Sequence, residues 1–304
     1  MHYNERLRTK PISLTEVLEQ GPEFVPVTFD CFSSMIAEDV GFRGMVLSEY
    51  AVGATYVGVP DVGLMTSTEM RTVANAVHKV TNIPMILDMD NGYGNELNAI
   101  RATVDYVDAG AMAVIMNDQV FPKQYGEKGM VLLPQEEFAC KCRAVADTLE
   151  GSEAVLIART DSYTEYGVEE AIARCNAAVD AGAKLTYVYG VKDRADAARI
   201  AKEVKGWKVF EMAHDGTNPD IRFEELVDMG YRLVICPTLM KAAFAKYESA
   251  MERVFREKND FFYDGVDIIN GVERRVFLGL NHWLQLGKRY NPDINIASKT
   301  KALD

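Results

Sequence analysis

Two aspartates that lie one residue apart, Asp88 and Asp90, are the residues best suited to chemistry in this chain. They follow an apolar run, Ile83–Leu87, and precede a glycine-rich stretch, Asn91–Asn95. An apolar run that ends in acids and then glycine is typical of a buried strand that carries polar groups to the edge of a sheet. Carboxylate oxygens in such a place suit Mg²⁺, so we expect a cation site here. The alternative is that both acids only cap a helix that begins near Asn95.

Short apolar runs of strand type alternate with longer amphipathic segments along the chain. The predicted strands are Phe24–Phe29, Met45–Ser48, Pro84–Asp88, Met112–Met116, Ala154–Arg159, Lys184–Val188, Trp207–Met212 and Arg232–Pro237. The predicted helices between them are Ser67–Thr81, Asn95–Ala109, Pro134–Leu149, Val168–Ala181, Ala195–Val204 and Phe223–Met229. Several of these helices end at a glycine just before the next strand, which indicates βα units and a parallel sheet. Eight units in about 240 residues favour an α/β fold of the (β/α)₈ TIM-barrel type over an open doubly wound sheet.

The chain contains no linker rich in proline, glycine or serine, so we predict one barrel domain over residues 1–304. Residues 1–23 form a predicted helical lead-in, and residues 260–304 form a C-terminal helical extension that includes an apolar helix, Val272–Tyr290. An apolar helix beyond a complete barrel either packs on a neighbouring subunit or covers its own barrel. The first interpretation predicts a homo-oligomer.

Composition excludes several classes of partner. The net charge of −12 argues against nucleic acid, because binding to phosphates requires a basic surface. We find no apolar run close to the about 20 residues that span a bilayer, and no basic-then-apolar signal region. The five cysteines lack C-x-x-C spacing, which favours reduced thiols in a cytoplasmic protein. We therefore expect neither nucleic acid nor a membrane as a partner, and the net charge does not exclude the small-molecule carboxylate that the strand-end residues below suggest.

Polar residues follow the end of every predicted strand, where a (β/α)₈ barrel carries its active site. The strand-end candidates are Asp30, Ser48, Glu49, Tyr50, Asp61, Asp88, Asp90, Asn117, Asp118, Arg159, Asp161, Tyr189, Glu211, His214 and Thr238. A single strand-end acid is often only a cap, but convergence of several indicates a site. Arg159 can bind a carboxylate or stabilise an enolate oxygen, or it can simply pair with an acid. The polar stretch 123–133 is either a mobile loop that covers the mouth or an ordinary surface loop.

Several of these motifs resemble the isocitrate lyase/phosphoenolpyruvate mutase superfamily, and the resemblance covers nearly the whole chain. The matching motifs are FDCFSS at 29–34 with Gly41-Phe42, GVPDVG at 58–63, DMDNGYGN at 88–95, NDQ at 117–119 and IARTD at 157–161. The resemblance implies an α/β barrel that binds Mg²⁺, with Mn²⁺ as an alternative, and works through pyruvate-like enolates. It also implies a homotetramer, a dimer of dimers, whose paired subunits exchange a C-terminal helix.

The resemblance also implies roles for individual residues. Asp88 would bind the metal directly, whereas Asp61 and Asp90 would hold metal-bound waters. Arg159 would contact a substrate carboxylate or oxyanion, and Ser48 would begin the loop that holds the 2-oxo acid end. We place the substrate-binding groups at Ser48, Glu49, Tyr50, Asp61, Asn117, Arg159, Tyr189 and Glu211.

The chain departs from the superfamily at several of these positions. Lys123–Glu127 stands where lyases of the family carry Lys-Arg-Cys-Gly-His, so we expect no thiol acid and name Tyr125 or Glu127 as the proton donor. Glu49 and Tyr50 fill a loop that is usually rich in glycine, and Asn117 and Tyr189 each replace a glutamate. These changes predict a shifted substrate and weaker metal binding.

We therefore predict a Mg²⁺-dependent carbon–carbon lyase or decarboxylase that acts on a small 2-oxo or 2-hydroxy dicarboxylate. A pyruvate-like enolate would be stabilised by the metal and Arg159, with Tyr125, Glu127 or water as the source of the proton. One alternative is phosphonopyruvate mutation or hydrolysis, in which a P–C bond breaks. A second is a barrel that only binds a metabolite or assembles, without catalysis.

Overall fold

A computed structural model of the chain describes residues 12–126, 129–213, 218–259 and 271–291. The strands are β1 (Glu23–Thr28), β2 (Met45–Leu47), β3 (Met85–Asp88), β4 (Ala111–Asn117), β5 (Tyr125–Gly126), β6 (Gly129–Met130), β7 (Val155–Thr160), β8 (Leu185–Val188), β9 (Trp207–Glu211) and β10 (Leu233–Cys236). Eight of them close into a barrel in the order β1-β2-β3-β4-β7-β8-β9-β10, and β10 pairs with β1. All neighbouring barrel strands are parallel, which confirms the predicted (β/α)₈ fold.

Helices alternate with the barrel strands along the chain and continue after the last strand. They are α1 (Leu14–Gln20), α2 (Cys31–Val40), α3 (Glu49–Val52), α4 (Ser67–His78), α5 (Glu96–Asp108), α6 (Gln135–Thr148), α7 (Ser162–Tyr166), α8 (Val168–Asp180), α9 (Arg194–Glu203), α10 (Phe223–Met229), α11 (Thr238–Glu257), α12 (Gly271–Phe277) and α13 (Leu280–Tyr290). A π-helical turn, Gly53–Val57, directly follows α3. Glycines that end α2 and α10, Gly41 and Gly230, adopt the left-handed conformation expected of such caps.

Two features differ from the sequence prediction. The predicted helix Val272–Tyr290 is two helices, α12 and α13, because the chain turns at Gly279, where φ is +83°. The stretch 123–133, predicted as a loop, contains β5 and β6, which pair as an antiparallel hairpin. The first part of the predicted lead-in, residues 1–11, lies outside the described residues, as do 260–270 and 292–304 of the predicted extension.

The chain divides into two compact units between Ala242 and Ala243. The first unit contains the barrel and the start of α11. The second contains the rest of α11, together with α12 and α13, and several of its large apolar side chains are exposed. Across the described ranges, we find no helix with the length and apolar character needed to cross a membrane.

The carboxyl ends of the barrel strands position the site. Parallel pairing places Asn117 of β4 directly beside Arg159 of β7, and Asp88 of β3 beside Ile115 of β4. Because all eight strands run the same way, the polar residues that end them meet at one mouth of the barrel.

Candidate active site

A cavity of about 310 Å³ opens at the carboxyl end of the barrel, and every barrel strand contributes to its lining. Its apolar wall consists of Val27, Val46, Ile115, Ile235, Pro237 and Met240. Its polar groups are Ser48, Glu49, Tyr50, Asp61, Asp88, Asp90, Asn117, Lys123, Arg159, Tyr187, Tyr189, Glu211 and Lys241. All the residues predicted to bind substrate or metal are in this lining, and the volume suits a small metabolite.

Tyr125, one of the two predicted proton donors, is not in that lining. Tyr125 lies on β5 with 64% of its surface exposed. Glu127 lies outside the described residues, and so does the strand-end candidate His214. Their catalytic roles stay predictions.

Four other strand-end polar residues cap a helix, begin a helix or lie buried outside the cavity lining. Asp30 caps α2 by accepting a hydrogen bond from the Ser33 amide at 2.7 Å. Thr238 begins α11. Asp118 and Asp161 are buried behind the cavity.

Asp88 and Asp90 form the acidic corner of the cavity. The Asp90 amide donates to Asp88 Oδ1 at 3.1 Å, and Asn117 Nδ2 donates to Asp90 Oδ1 at 2.8 Å. Asp90 Oδ2 is buried and has no hydrogen-bond partner among the described residues. Asn95 caps α5 through its own side chain, so the two acids do not serve as caps.

Burial makes this acidic corner electrostatically costly. It raises the pKa of Asp88 to about 6, a shift that Arg159 opposes and Asp90 reinforces. Glu49 points into the same cavity with only 4% of its surface exposed. Burial, then Asp90 and Asp88, raises the pKa of Glu49 to about 9. Carboxylates gathered in this way call for a cation.

The oxygen donors of the acidic corner fit Mg²⁺. Asp90 Oδ2 is an unpartnered buried acceptor, and the neighbouring Asp88 adds its carboxylate oxygens. In the described parts of the chain, no group of three or more His, Cys, Asp or Glu side chains is arranged to hold a metal ion. Mg²⁺ is usually held by one or two carboxylates together with water, so a pair of aspartates is sufficient for it.

Arg159 lines the cavity from β7, two strands away from Asp88, and is held firmly. Its Nε and Nη2 donate to the two carboxylate oxygens of Asp161 at 2.6 and 2.9 Å. Its guanidinium carbon lies 4.2 Å from the ring centroid of Tyr189 and 5.4 Å from that of Tyr187. The Tyr187 hydroxyl donates to Glu211. Arg159 therefore both pairs with an acid and lines the cavity.

Residues 14–255 match the protein family described as phosphoenolpyruvate phosphomutase. The chain belongs to this family. A chloroplastic carboxyvinyl-carboxyphosphonate phosphorylmutase of Arabidopsis thaliana is 33% identical over 98% of this chain and 88% of that protein. A 2,3-dimethylmalate lyase of Eubacterium barkeri is 33% identical over 70% of this chain and 74% of that protein.

A solved structure of 2,3-dimethylmalate lyase, a member of the PEP mutase/isocitrate lyase superfamily, also matches this chain. The TM-score is 0.84 at 27% identity, and the match covers 100% of this chain and 99% of that chain. The superfamily resemblance inferred from the sequence motifs is therefore confirmed.

This member of the phosphoenolpyruvate phosphomutase family has a cavity residue that sequence reasoning missed, Lys123. Its ammonium pairs with Asp61 and lies 3.6 Å from Asp90 Oδ1, and 7% of the side chain is exposed. Burial lowers the pKa of Lys123, but the carboxylates of Asp90 and Asp61 outweigh it and raise the pKa overall. One sequence feature could have identified Lys123: it begins the Lys123–Glu127 stretch, at the position where lyases of the family also carry a lysine.

A buried network behind the cavity supports Arg159. Asp118 Oδ1 accepts from the Asp161 amide at 2.9 Å, while Asp118 Oδ2 accepts from Thr160 Oγ1 at 2.6 Å and from Arg174 Nη1 at 3.0 Å. The main chain of Asp161, whose carboxylate holds Arg159, is thus supported by the ion pair between Asp118 and Arg174 of α8. Charged groups buried in this way need their partners, so the network is sensitive to the loss of any member.

Proposed function

We propose that this protein is a Mg²⁺-dependent lyase that breaks a carbon–carbon bond in a small 2-oxo or 2-hydroxy dicarboxylate, by lysis or by decarboxylation. The observation that carries the proposal is the unpartnered buried oxygen of Asp90 beside Asp88, in the same cavity as Arg159. The likeness to 2,3-dimethylmalate lyase supports carbon–carbon chemistry.

Asp88 would hold the cation, with Asp90 and Asp61 on its outer side. When bound, Mg²⁺ supplies positive charge that neutralises the oxygens of an acidic substrate and of the enolate formed from it. Asp90 is ready for this role because Asn117 and the Asp88 side chain fix its position.

Arg159 would bind the opposite end of the substrate or the enolate oxygen. Asp161 engages Nε and Nη2 only, which leaves Nη1 for a carboxylate or oxyanion. The contact with the Tyr189 ring would limit rotation of the guanidinium. Because the site holds this group in advance, little reorganisation is needed as negative charge develops.

A proton must reach the enolate carbon after the bond breaks. Tyr125 and Glu127 stay the predicted donors, with water as the alternative. The exposed position of Tyr125 means that such a role requires its hairpin, β5 and β6, to change position.

A product assay tests the proposal. Purified protein is incubated with oxaloacetate, 2-methylisocitrate, 2,3-dimethylmalate or phosphonopyruvate, with Mg²⁺ or with excess EDTA. We expect keto-acid release from at least one of the first three, and only with Mg²⁺. Asp88→Ala should abolish turnover and Mg²⁺ binding, whereas Asp39→Ala, an exposed acid on α2, should change neither. Absence of both turnover and Mg²⁺ binding in the unmodified protein would overturn the proposal.

The likeness to carboxyvinyl-carboxyphosphonate phosphorylmutase favours a second candidate, cleavage or transfer at a P–C bond. The same assay separates the two. Loss of the phosphonate from phosphonopyruvate without carbon–carbon cleavage of any dicarboxylate would reverse the order of the candidates.

We further propose that the protein is a homo-oligomer, a dimer of dimers. On α11 an exposed apolar stripe runs along Phe244, Tyr247, Met251 and Phe255, spaced three or four residues apart. Sedimentation of the unmodified protein and of Met251→Lys tests this, and a monomeric unmodified protein would contradict it.

We also propose a cytoplasmic location, because all five cysteines are free thiols.

A further inference from the structure

The buried ammonium of Lys141 lies beneath the turn that carries Asp90. Lys141 is on α6, and only 1% of its surface is exposed. Its Nζ donates to two main-chain carbonyls, those of Asn91 and Gly94, the second at 2.8 Å. Both of these acceptors are neutral, although a buried lysine is usually paired with a carboxylate.

The turn between β3 and α5 needs such support because its backbone is strained. Asp90 and Tyr93 adopt positive φ angles of +50° and +61°, which side chains other than glycine rarely adopt. Such conformations persist only where surrounding contacts impose them. Gly92 also packs so closely that an added Cβ would lie 2.7 Å from the Cβ of Ala99.

Several elements contribute contacts that hold the turn, and within the described ranges Lys141 is the side chain that donates to two of its carbonyls. The hydroxyls of Tyr93 and Tyr106 share a hydrogen bond at 2.6 Å, and Asn91 Nδ2 donates to the Gln119 carbonyl at 2.9 Å. These contacts fix side chains of the turn. Lys141 holds the main chain on both sides of Gly92, while the Asn117 amide donates to the Asp90 carbonyl at 2.8 Å, so both support the segment that carries the Asp90 carboxylate.

We propose that Lys141 is a positioning residue for the acidic corner, acting through the carbonyls of Asn91 and Gly94 to hold Asp90 ready for a divalent cation. The inference rests on the proposed function, because it concerns cation binding by Asp88 and Asp90. Burial lowers the pKa of Lys141 to about 8, because removing the ammonium from water disfavours its charged form. If Lys141 served packing alone, an apolar side chain of similar length would fill the same space without the cost of a buried charge.

The test compares Lys141→Met with a matched control, Val145→Ala, one helical turn further along α6 and equally buried. Mg²⁺ affinity is measured by titration calorimetry, and thermal unfolding reports the loss of stability in each. We expect Lys141→Met to weaken Mg²⁺ binding by about tenfold or more, the range typical of groups that orient metal ligands. Val145→Ala should keep the affinity of the unmodified protein.

Hydrogen exchange of the 88–95 segment provides a readout that needs no metal. Without Mg²⁺, this segment should exchange faster in Lys141→Met than in Val145→Ala. Lys141→Gln retains N–H donors and should give intermediate values, and it decides the matter if the Met variant does not fold. Unchanged affinity together with unchanged exchange would overturn the inference while leaving the proposed function intact. A failure of the unmodified protein to bind Mg²⁺ would overturn both.

Discussion

The ring of Tyr189 lies against the guanidinium of Arg159, with 4.2 Å between the ring centroid and the guanidinium carbon. The superfamily resemblance leads one to expect a glutamate at the position of Tyr189. Asp161 already pairs with Arg159, so a glutamate there would add a second negative charge beside the guanidinium, whereas an aromatic face attracts the cation without adding one. We therefore expect Tyr189 to leave Arg159 able to bind a negatively charged group of a substrate.

Replacing Tyr189 tests this relationship. Tyr189→Ala removes the ring and should lower kcat/KM by about 3- to 30-fold, the equivalent of about 0.5–2 kcal/mol of cation–π stabilisation. Tyr189→Phe keeps the ring and serves as the control, with near-normal kcat/KM expected. A large loss in the Phe variant would instead assign the role to the hydroxyl.

Lys123 and a divalent cation should compete for the same carboxylates. The ammonium already neutralises Asp61 and Asp90, so its removal leaves more negative charge for Mg²⁺. We expect Lys123→Met to bind Mg²⁺ about tenfold more tightly by calorimetry, a difference of about 1.4 kcal/mol. Lys123→Arg retains the charge and should bind as the unmodified protein does. Weaker binding by the Met variant would show that the lysine assists the cation.

The sequence was sufficient to predict the barrel because its strands and caps are local signals. Each predicted strand ends within one residue of the observed one, since apolar runs and cap glycines mark both ends. Strand-end polarity likewise located the cavity residues. Contacts such as Lys123 with Asp61 or Lys141 with Asn91 join residues 62 and 50 positions apart, so no local pattern contains them. The direction of Glu49 depended on the short helix α3, which the sequence did not indicate.

Removing only one partner of the buried pair formed by Arg174 and Asp118 should cause a large loss of stability. Arg174→Met leaves the Asp118 carboxylate buried without its cation and should lower the free energy of unfolding by about 3–5 kcal/mol. The double variant Asp118→Asn, Arg174→Met removes that charge and should recover part of the loss. Arg199, whose ion pairs lie at the surface, is the control, and Arg199→Met should lower the free energy of unfolding far less than Arg174→Met does. Denaturant unfolding measures all three, and equal losses for Arg174 and Arg199 would contradict the prediction.

The ionisation of Lys141 should give stability a distinct dependence on pH. Burial lowers its pKa from 10.5 to about 8, although Glu137, Cys142, Asp90 and Glu96 act in the opposite direction. Between about pH 8 and pH 10.5 the folded protein therefore binds fewer protons at this group than the unfolded chain does, so this group's contribution to stability rises with pH. Lys141→Met lacks the group. We therefore compare the free energy of unfolding of the unmodified protein with that of the variant, without Mg²⁺. The difference between the two should shift by about 1–3 kcal/mol in favour of the unmodified protein as the pH rises from 8 to 10. The same comparison with Val145→Ala, which changes no titratable group, should stay flat, and a flat result for Lys141→Met as well would mean that its ammonium is not desolvated.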